Sequence, residues 1–378
     1  MKEFIPLSVP YLKGNELAYV SKAITEEWVS TEGAYVTAFE NKIADYVGVE
    51  KAVACQSGTA GLHLALMACG IKQGDEVIVP TLTFVAAVNP IKYVGAHPIF
   101  MDCDDSLAID PLKLKEFCEK ECHIAEGVLM NNKTQRPITA MILVHIFGNM
   151  ADMEAIIEIT NQYHILVIED ATEALGSYML EGRYKGYHAG TIGDIGVYSF
   201  NGNKIITTGG GGMIVSRNKE YLEQCKYLST QAKNDTLYFV HDEVGYNYRM
   251  TNLQAAIGLA QLEQLEEFIK VKRKNYEEYH HQGITLLPFR TGSRSNYWFY
   301  SYISDKRDAM LQYLSQNKIQ TRPVWTLIHT LKPYEMEQSY KIEKAYYYYD
   351  KILNIPCSSN LSTEDVIRVA ATIKRHIE

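Results

Sequence analysis

The chain has 378 residues, 47% hydrophobic and 22% charged, with a formal net charge of −8 at pH 7. That is the composition of a globular protein long enough for two domains, and the acidic balance, with no basic stripe or zinc-finger spacing, argues against general nucleic-acid affinity. No apolar run approaches membrane-spanning length, the opening Met-Lys-Glu-Phe-Ile-Pro lacks the apolar core of a secretory leader, and seven dispersed cysteines read as free thiols in a reducing, cytoplasmic setting.

Along the chain, apolar residues at helical spacing predict helices near 15–27, 37–47, 59–69, 84–94, 111–121 and 152–163. In the last of these Met153, Ile156, Ile157 and Thr160 share a face, and Asp152 stands where an N-cap belongs. Between the helices lie short apolar runs: Ala52-Val-Ala54, Glu76-Val-Ile-Val79, Pro98-Ile-Phe-Met101, Ala140-Met-Ile-Leu-Val144 and Ile165-Leu-Val-Ile168. Short runs without alternation suit strands buried on both faces of a mostly parallel sheet. The fold class is therefore α/β, with right-handed crossovers and a site at the carboxyl ends of the strands, where His145, Asp170 and Ser199 fall.

The character changes near 235–250, around the polar aromatic stretch Tyr246-Asn-Tyr-Arg-Met-Thr-Asn252. A long helix follows, then mixed segments near 297–303 and 320–325 and helices near 306–316 and 363–376. We expect a large domain over 1–240 and a smaller α+β domain over 241–378. Cys118 and Cys122 fall four apart on a predicted helix, with His123 next, but no second ligand pair has the spacing of a metal site, so no metal is expected. Tyr346 to Tyr349 read as a helix with tyrosines on several faces rather than as a stacking platform.

The stretch Tyr198-Ser-Phe-Asn-Gly-Asn-Lys-Ile-Ile-Thr-Thr-Gly-Gly-Gly-Gly-Met213 sets Lys204 between a buried-looking strand and four glycines, which let the backbone pass close to something flat or charged. Alone it is equally a phosphate loop, a tight hairpin or an amine nucleophile. A second stretch, Ile165-Leu-Val-Ile-Glu-Asp170, ends a strand in acid. A lysine able to bond an aldehyde, with an aspartate able to pair a pyridinium nitrogen, is what pyridoxal 5′-phosphate requires. Gln56-Ser-Gly-Thr-Ala-Gly61 opens a helix whose N–H groups, with the hydroxyls of Ser57 and Thr59, suit a phosphate dianion; it also reads as a plain N-cap and turn. Phe84 either covers a flat ring or belongs to the core.

These blocks stand in one order, together with Ile5-Pro-Leu-Ser-Val-Pro10, Val144-His-Ile-Phe-Gly148, Glu169-Asp-Ala-Thr-Glu173 and Gly245-Tyr-Asn-Tyr-Arg249. The sequence thereby resembles the DegT-type sugar aminotransferases over essentially its whole length. The resemblance implies an aspartate-aminotransferase-like (fold type I) domain with a mostly parallel seven-stranded sheet. It implies roles as well: Lys204 bonds the cofactor and moves its proton, Asp170 pairs the ring nitrogen, Phe84 stacks, and Gly58, Thr59, Ala60 and Ser199 hold the phosphate. Glu173 lies near the ring oxygen or the substrate. Asn247 reaches the phosphate in the neighbouring subunit of a homodimer with shared sites. Trp28, Arg322 and His329 are candidates for the nucleotide-sugar pocket, each with an equal structural reading: a core cap, a carboxylate partner and a satisfied loop residue, respectively.

The blocks Ser199-Phe-Asn-Gly-Asn-Lys204 and Arg322-Pro-Val-Trp325 resemble the branch serving bacillosamine and legionaminic acid. That implies transfer of an amino group, from an amino acid such as L-glutamate, to C4 of a UDP-linked 4-keto-6-deoxy-N-acetylhexosamine. The alternatives are the same reaction on a GDP-linked 4-keto sugar and, in another class, a regulatory protein that binds the cofactor without turnover. A sugar dehydratase on this scaffold would carry histidine where Lys204 stands.

Overall fold

The computed structural model describes residues 3–235 and 237–377. The large sheet is built on seven strands: β1 (Ala52–Cys55), β2 (Glu76–Pro80), β3 (His97–Met101), β4 (Pro137–Val144), β5 (Leu166–Asp170), β6 (Ile195–Ser199) and β7 (Gly212–Val215). Their spatial order is β1-β7-β6-β5-β4-β2-β3. Every neighbouring pair is parallel except those of β7, which runs antiparallel to both β1 and β6. The strands read as unbroken apolar runs because helices cover both faces; Val77, Ile78 and Val79 have no exposed surface at all.

The sheet extends beyond the expected seven. The hairpin Cys122–Ala125 with Val128–Asn131 pairs onto β4, and Gln338–Tyr340, from far along the chain, adds parallel to β3. Cys122 therefore begins a strand, whereas Cys118 sits on the helix Pro111–Lys120. The four-residue spacing does not place the two thiols on one helix, and no group of three metal-binding side chains exists among the described residues.

The predicted helices form within a few residues of their expected bounds, except that the long helix expected after residue 250 is two, Asn252–Leu262 and Leu265–His281. Met153–Tyr163 starts on Asp152, whose Oδ1 accepts from the Ala155 N–H at 3.2 Å. The predicted helix over 84–94 is instead a 3₁₀ turn, Val85–Ala87, followed by the short helix Asn89–Tyr93, because Pro90 lacks an N–H to continue from the preceding turn. The helix Asn252–Leu262 opens with a reciprocal cap between Thr251 and Gln254 and packs on Glu16–Thr25 and Ala34–Val47. Farther along, Tyr300–Ile303, Ile352–Ile355 and Arg322–Pro323 form an antiparallel three-stranded sheet with Ile352–Ile355 at its centre. The tetra-tyrosine run lies on Lys344–Lys351, with Tyr348 buried and Tyr346 and Tyr347 exposed, as expected of tyrosines on several faces.

Candidate active site

Five strand ends converge on one cavity of about 400 Å³. β1 delivers Ser57, Gly58 and Thr59; β2 delivers Thr83 and Phe84; β4 ends at Val144, β5 at Asp170 and β6 at Ser199. The loop after β6 adds Asn201, Asn203 and Lys204, and the distant segments add Trp298, Arg322 and Trp325. A crevice at the carboxyl edge of a parallel sheet collects loop residues from several strands at once, which is why side chains as far apart in the chain as Ser57 and Trp325 meet here.

The helix Gly58–Ala68 points its N-terminus into the cavity, leaving free N–H groups and a positive end of the peptide dipole for an anion. Ser57 caps this helix, its Oγ accepting from the Ala60 N–H at 3.1 Å. The cap and the anion site are thus the same turn, and Ala60, buried behind it, does not line the cavity. A Cβ on Gly58 would stand 2.9 Å from both Ser199 Cβ and Thr172 Cγ2. The run of four glycines has a nearer purpose than a ligand: a Cβ on Gly212 would strike the Ser57 backbone at 2.7 Å, so the glycine lets β7 pass against the phosphate-side turn.

Asp170 is 4% exposed and accepts from the Thr172 N–H at 3.1 Å. Burial pushes its carboxyl above the usual range, opposed by the Thr172 bonds and by the nearby charge of Lys204. A carboxylate this dry, with one backbone donor, suits a cationic N–H partner arriving from the cavity. Next to it in the chain, Glu169 faces the other way and is fully satisfied. It accepts from His145 Nε2 and from the N–H groups of Gly190, Ile192 and Gly193. His145 Nδ1 accepts from Ala151, so Nε2 carries the hydrogen; this strand-end histidine supports the loop and does not line the cavity.

Lys204 Nζ lies 3.6 Å from Glu173 Oε1. Burial pushes the Glu173 carboxyl up to about 7, opposed by Lys204 and by the Phe147 N–H that donates to Oε2 at 2.8 Å. Phe147 adopts a left-handed backbone (φ 56°), held there by that bond and by its ring contacts with Trp325 and Phe299. Phe84 is 51% exposed at the mouth, its centroid 6.1 Å from Trp325, an apolar face open to a flat ligand.

Gly58, Thr59, Phe84, Asp170, Glu173, Ser199, Lys204 and Arg322 thus come together around one cavity. Arg322 makes no side-chain hydrogen bond or ion pair among the described residues, so its carboxylate-partner reading finds no carboxylate here. Besides Ala60, three candidates lie outside the cavity lining. Trp28 is 57% exposed, which excludes it as a core cap. His329 bonds Thr81 Oγ1 through Nδ1 at 2.6 Å and Tyr346 Oη through Nε2 at 3.0 Å, the satisfied-loop reading. Asn247 is exposed and bridges Thr230 through its backbone. Sequence reasoning missed Trp298, Asn201, Asn203 and Thr83, and gave no role to Trp325. Nothing local marks Trp298; it reaches the lysine only through the fold.

The residues present fit pyridoxal phosphate: an amine, a dry carboxylate, an anion-binding helix start and an apolar ring cover occur in one cavity. Comparison with known proteins agrees. The DegT/DnrJ/EryC1/StrS aminotransferase family model matches residues 10–374. The chain is 39% identical to the GDP-perosamine synthase of Escherichia coli O157:H7, over 98% of each chain. It is 36% identical to that of Vibrio cholerae, over 98% of this chain and 99% of the relative. The crystal structure of the aminotransferase TlmJ from Streptoalloteichus hindustanus superposes with a TM-score of 0.88 at 28% identity, covering 99% of both chains. The chain belongs to the DegT/DnrJ/EryC1/StrS aminotransferase family and is a sugar aminotransferase whose cofactor is pyridoxal phosphate.

Proposed function

We propose that this enzyme transfers an amino group from an amino acid such as L-glutamate to C4 of a GDP-linked 4-keto sugar. The observation that carries the choice of nucleotide is the pair of GDP-perosamine synthases at 39% and 36% identity over nearly the full chain. They favour this substrate over the UDP-linked N-acetylhexosamine of the bacillosamine and legionaminic acid branch, which the Ser199–Lys204 and Arg322–Trp325 blocks resemble. The test is amination of GDP-linked and UDP-linked 4-keto-6-deoxy sugars by the same preparation. Faster turnover of the GDP sugar is expected; turnover of the UDP sugar alone would reverse the assignment.

When bound, pyridoxal phosphate supplies an aldehyde for the amine donor and a ring that withdraws electrons from the carbon losing its proton. In our reading the chain does the rest. Gly58, Thr59 and Ser199 hold the phosphate at the helix start, and Asp170 keeps the ring nitrogen protonated. Phe84 covers one face of the ring. Lys204 would hold the cofactor through its amine and, when free of it, would carry the proton at Nζ. Glu173, 3.6 Å away, is the group able to take or return that proton near neutral pH. Arg322, unpaired on the rim, is suited to an anionic part of the substrate.

The further proposals are a homodimer, with Asn247 contributed to the partner's cofactor phosphate, a domain division near 240/241, and a cytoplasmic location. Support for the first is the exposed Asn247, on a segment whose preceding hairpin also exposes Leu237, Tyr238 and Phe239. All seven cysteines are free, and no helix among the described residues is long and apolar enough to cross a membrane.

A further inference from the structure

We propose that Trp298 is a positioning residue for Lys204: its indole face holds the lysine amine whenever that amine is not bonded to the cofactor, and its N–H fixes the turn that carries the lysine. The proposal rests on Lys204 being the cofactor-bonding amine.

Lys204 Nζ stands 4.4 Å from the centroid of the Trp298 ring, within the range of a cation–π contact. The same indole donates from Nε1 to the Asn203 carbonyl at 2.8 Å. Asn203 lies inside the turn closed by the Lys204 N–H on the Asn201 carbonyl at 3.0 Å. One side chain therefore grips both the tip of the lysine and the backbone at its base.

Trp298 is itself fixed from several sides. It is 2% exposed and stacks on Phe299 with centroids 4.0 Å apart and planes 5° from parallel. Its backbone N–H donates to Asn296 Oδ1, and Asn296 Nδ2 donates to the carbonyls of Glu173 and Leu175. Its carbonyl accepts from Cys357 Sγ. The ring is thereby tied to the segment that carries Glu173, the other group beside Nζ.

The function of such a berth is repetition. An amine that is to bond the cofactor anew in each cycle would need to find the same place each time. A flexible four-carbon side chain has many rotamers, and a fixed aromatic face removes most of them before the bond is remade. The contact also spares the ammonium from having Glu173 as its sole neighbour.

The test uses full-length chain stripped of cofactor, as wild type, Trp298→Leu and Trp298→Phe. Two quantities are read: the rate at which the visible absorbance of the lysine–cofactor bond grows on mixing with pyridoxal phosphate, and the equilibrium affinity for pyridoxamine phosphate, which needs no lysine bond. In Trp298→Leu the bond should form about tenfold more slowly, with pyridoxamine phosphate affinity within about twofold of wild type. Trp298→Phe, which keeps an aromatic face and loses the N–H, should recover most of the rate. Equal rates in all three proteins would overturn the proposal, as would affinity falling in step with rate, since that marks general damage to the site. If Trp298→Leu does not fold, the split between rate and affinity in Trp298→Phe decides, with a slowing of about threefold expected and none contradicting it. Wild type that develops no visible band would instead sink the assignment of Lys204, and is distinguishable from every outcome above.

Discussion

The floor and the rim of the cavity are built differently. The floor consists of strand ends and one helix start: Gly58, Asp170, Ser199 and Lys204 sit on or next to elements whose backbones the sheet fixes, and Asp170 and Glu173 are almost wholly dry. The rim consists of Phe84, half exposed, and Arg322, exposed and unpaired among the described residues, beside Trp325 from a distant segment. Chemistry common to a cofactor needs fixed geometry, which the sheet gives at low cost. Choice of substrate needs surface that can differ between relatives, which loops give.

Removing Lys204 breaks the floor most severely. Lys204→Ala should lose the visible band of the cofactor bond and at least about 10³-fold in turnover, because one amine is both anchor and proton carrier. Near-normal turnover in the variant would end the assignment.

Asp170→Ala should slow pyridoxamine phosphate formation from L-glutamate about 10²-fold in single turnover, through loss of the buried charge that pairs the ring nitrogen. An unchanged rate would remove Asp170 from this role. Gly58→Ala tests the fit of the anion turn. Its Cβ would press on Ser199 and Thr172 at 2.9 Å, so pyridoxamine phosphate affinity should fall by about 1–3 kcal/mol, as read by titration.

Glu173→Gln sharpens the contrast through pH. Burial raises the carboxyl to about 7 in the folded chain, against an ordinary value of 4.5. The folded state then binds the proton more tightly than the unfolded state, so this group's contribution to stability is full below about 4.5 and is lost as pH rises through about 7. The melting temperature of cofactor-free wild type should therefore fall relative to Glu173→Gln across that window. A constant difference between the two proteins would contradict the shift. On the rim, Arg322→Ala should raise KM for the nucleotide sugar several-fold with little change in the glutamate half-reaction; equal effects on both would move Arg322 to the floor.

This division also marks what the sequence made legible. Strand ends announce themselves: Ile165–Asp170 is an apolar run closed by acid, and Ser57-Gly-Thr opens a helix, so Asp170, Gly58 and Thr59 could be named from local pattern. Lys204 was legible only in company with Asp170. Trp298 was not, because its role arises when Tyr300–Ile303 and its neighbours fold back to the loop after β6, and nothing local encodes that approach. The purpose of Gly212 was misread for the same reason: its close neighbour is the Ser57 backbone, some 150 positions earlier in the chain. His329 and Trp28 were drawn from resemblance alone, and neither lines the cavity.

The central claim is that Lys204 is the amine that bonds the cofactor in this cavity. Borohydride reduction of the enzyme loaded with pyridoxal phosphate, followed by peptide mapping, tests it directly. The expected result is one reduced cofactor per chain, carried on the peptide that contains Lys204. Attachment at another lysine, or no covalent cofactor in a preparation that turns over, would contradict it.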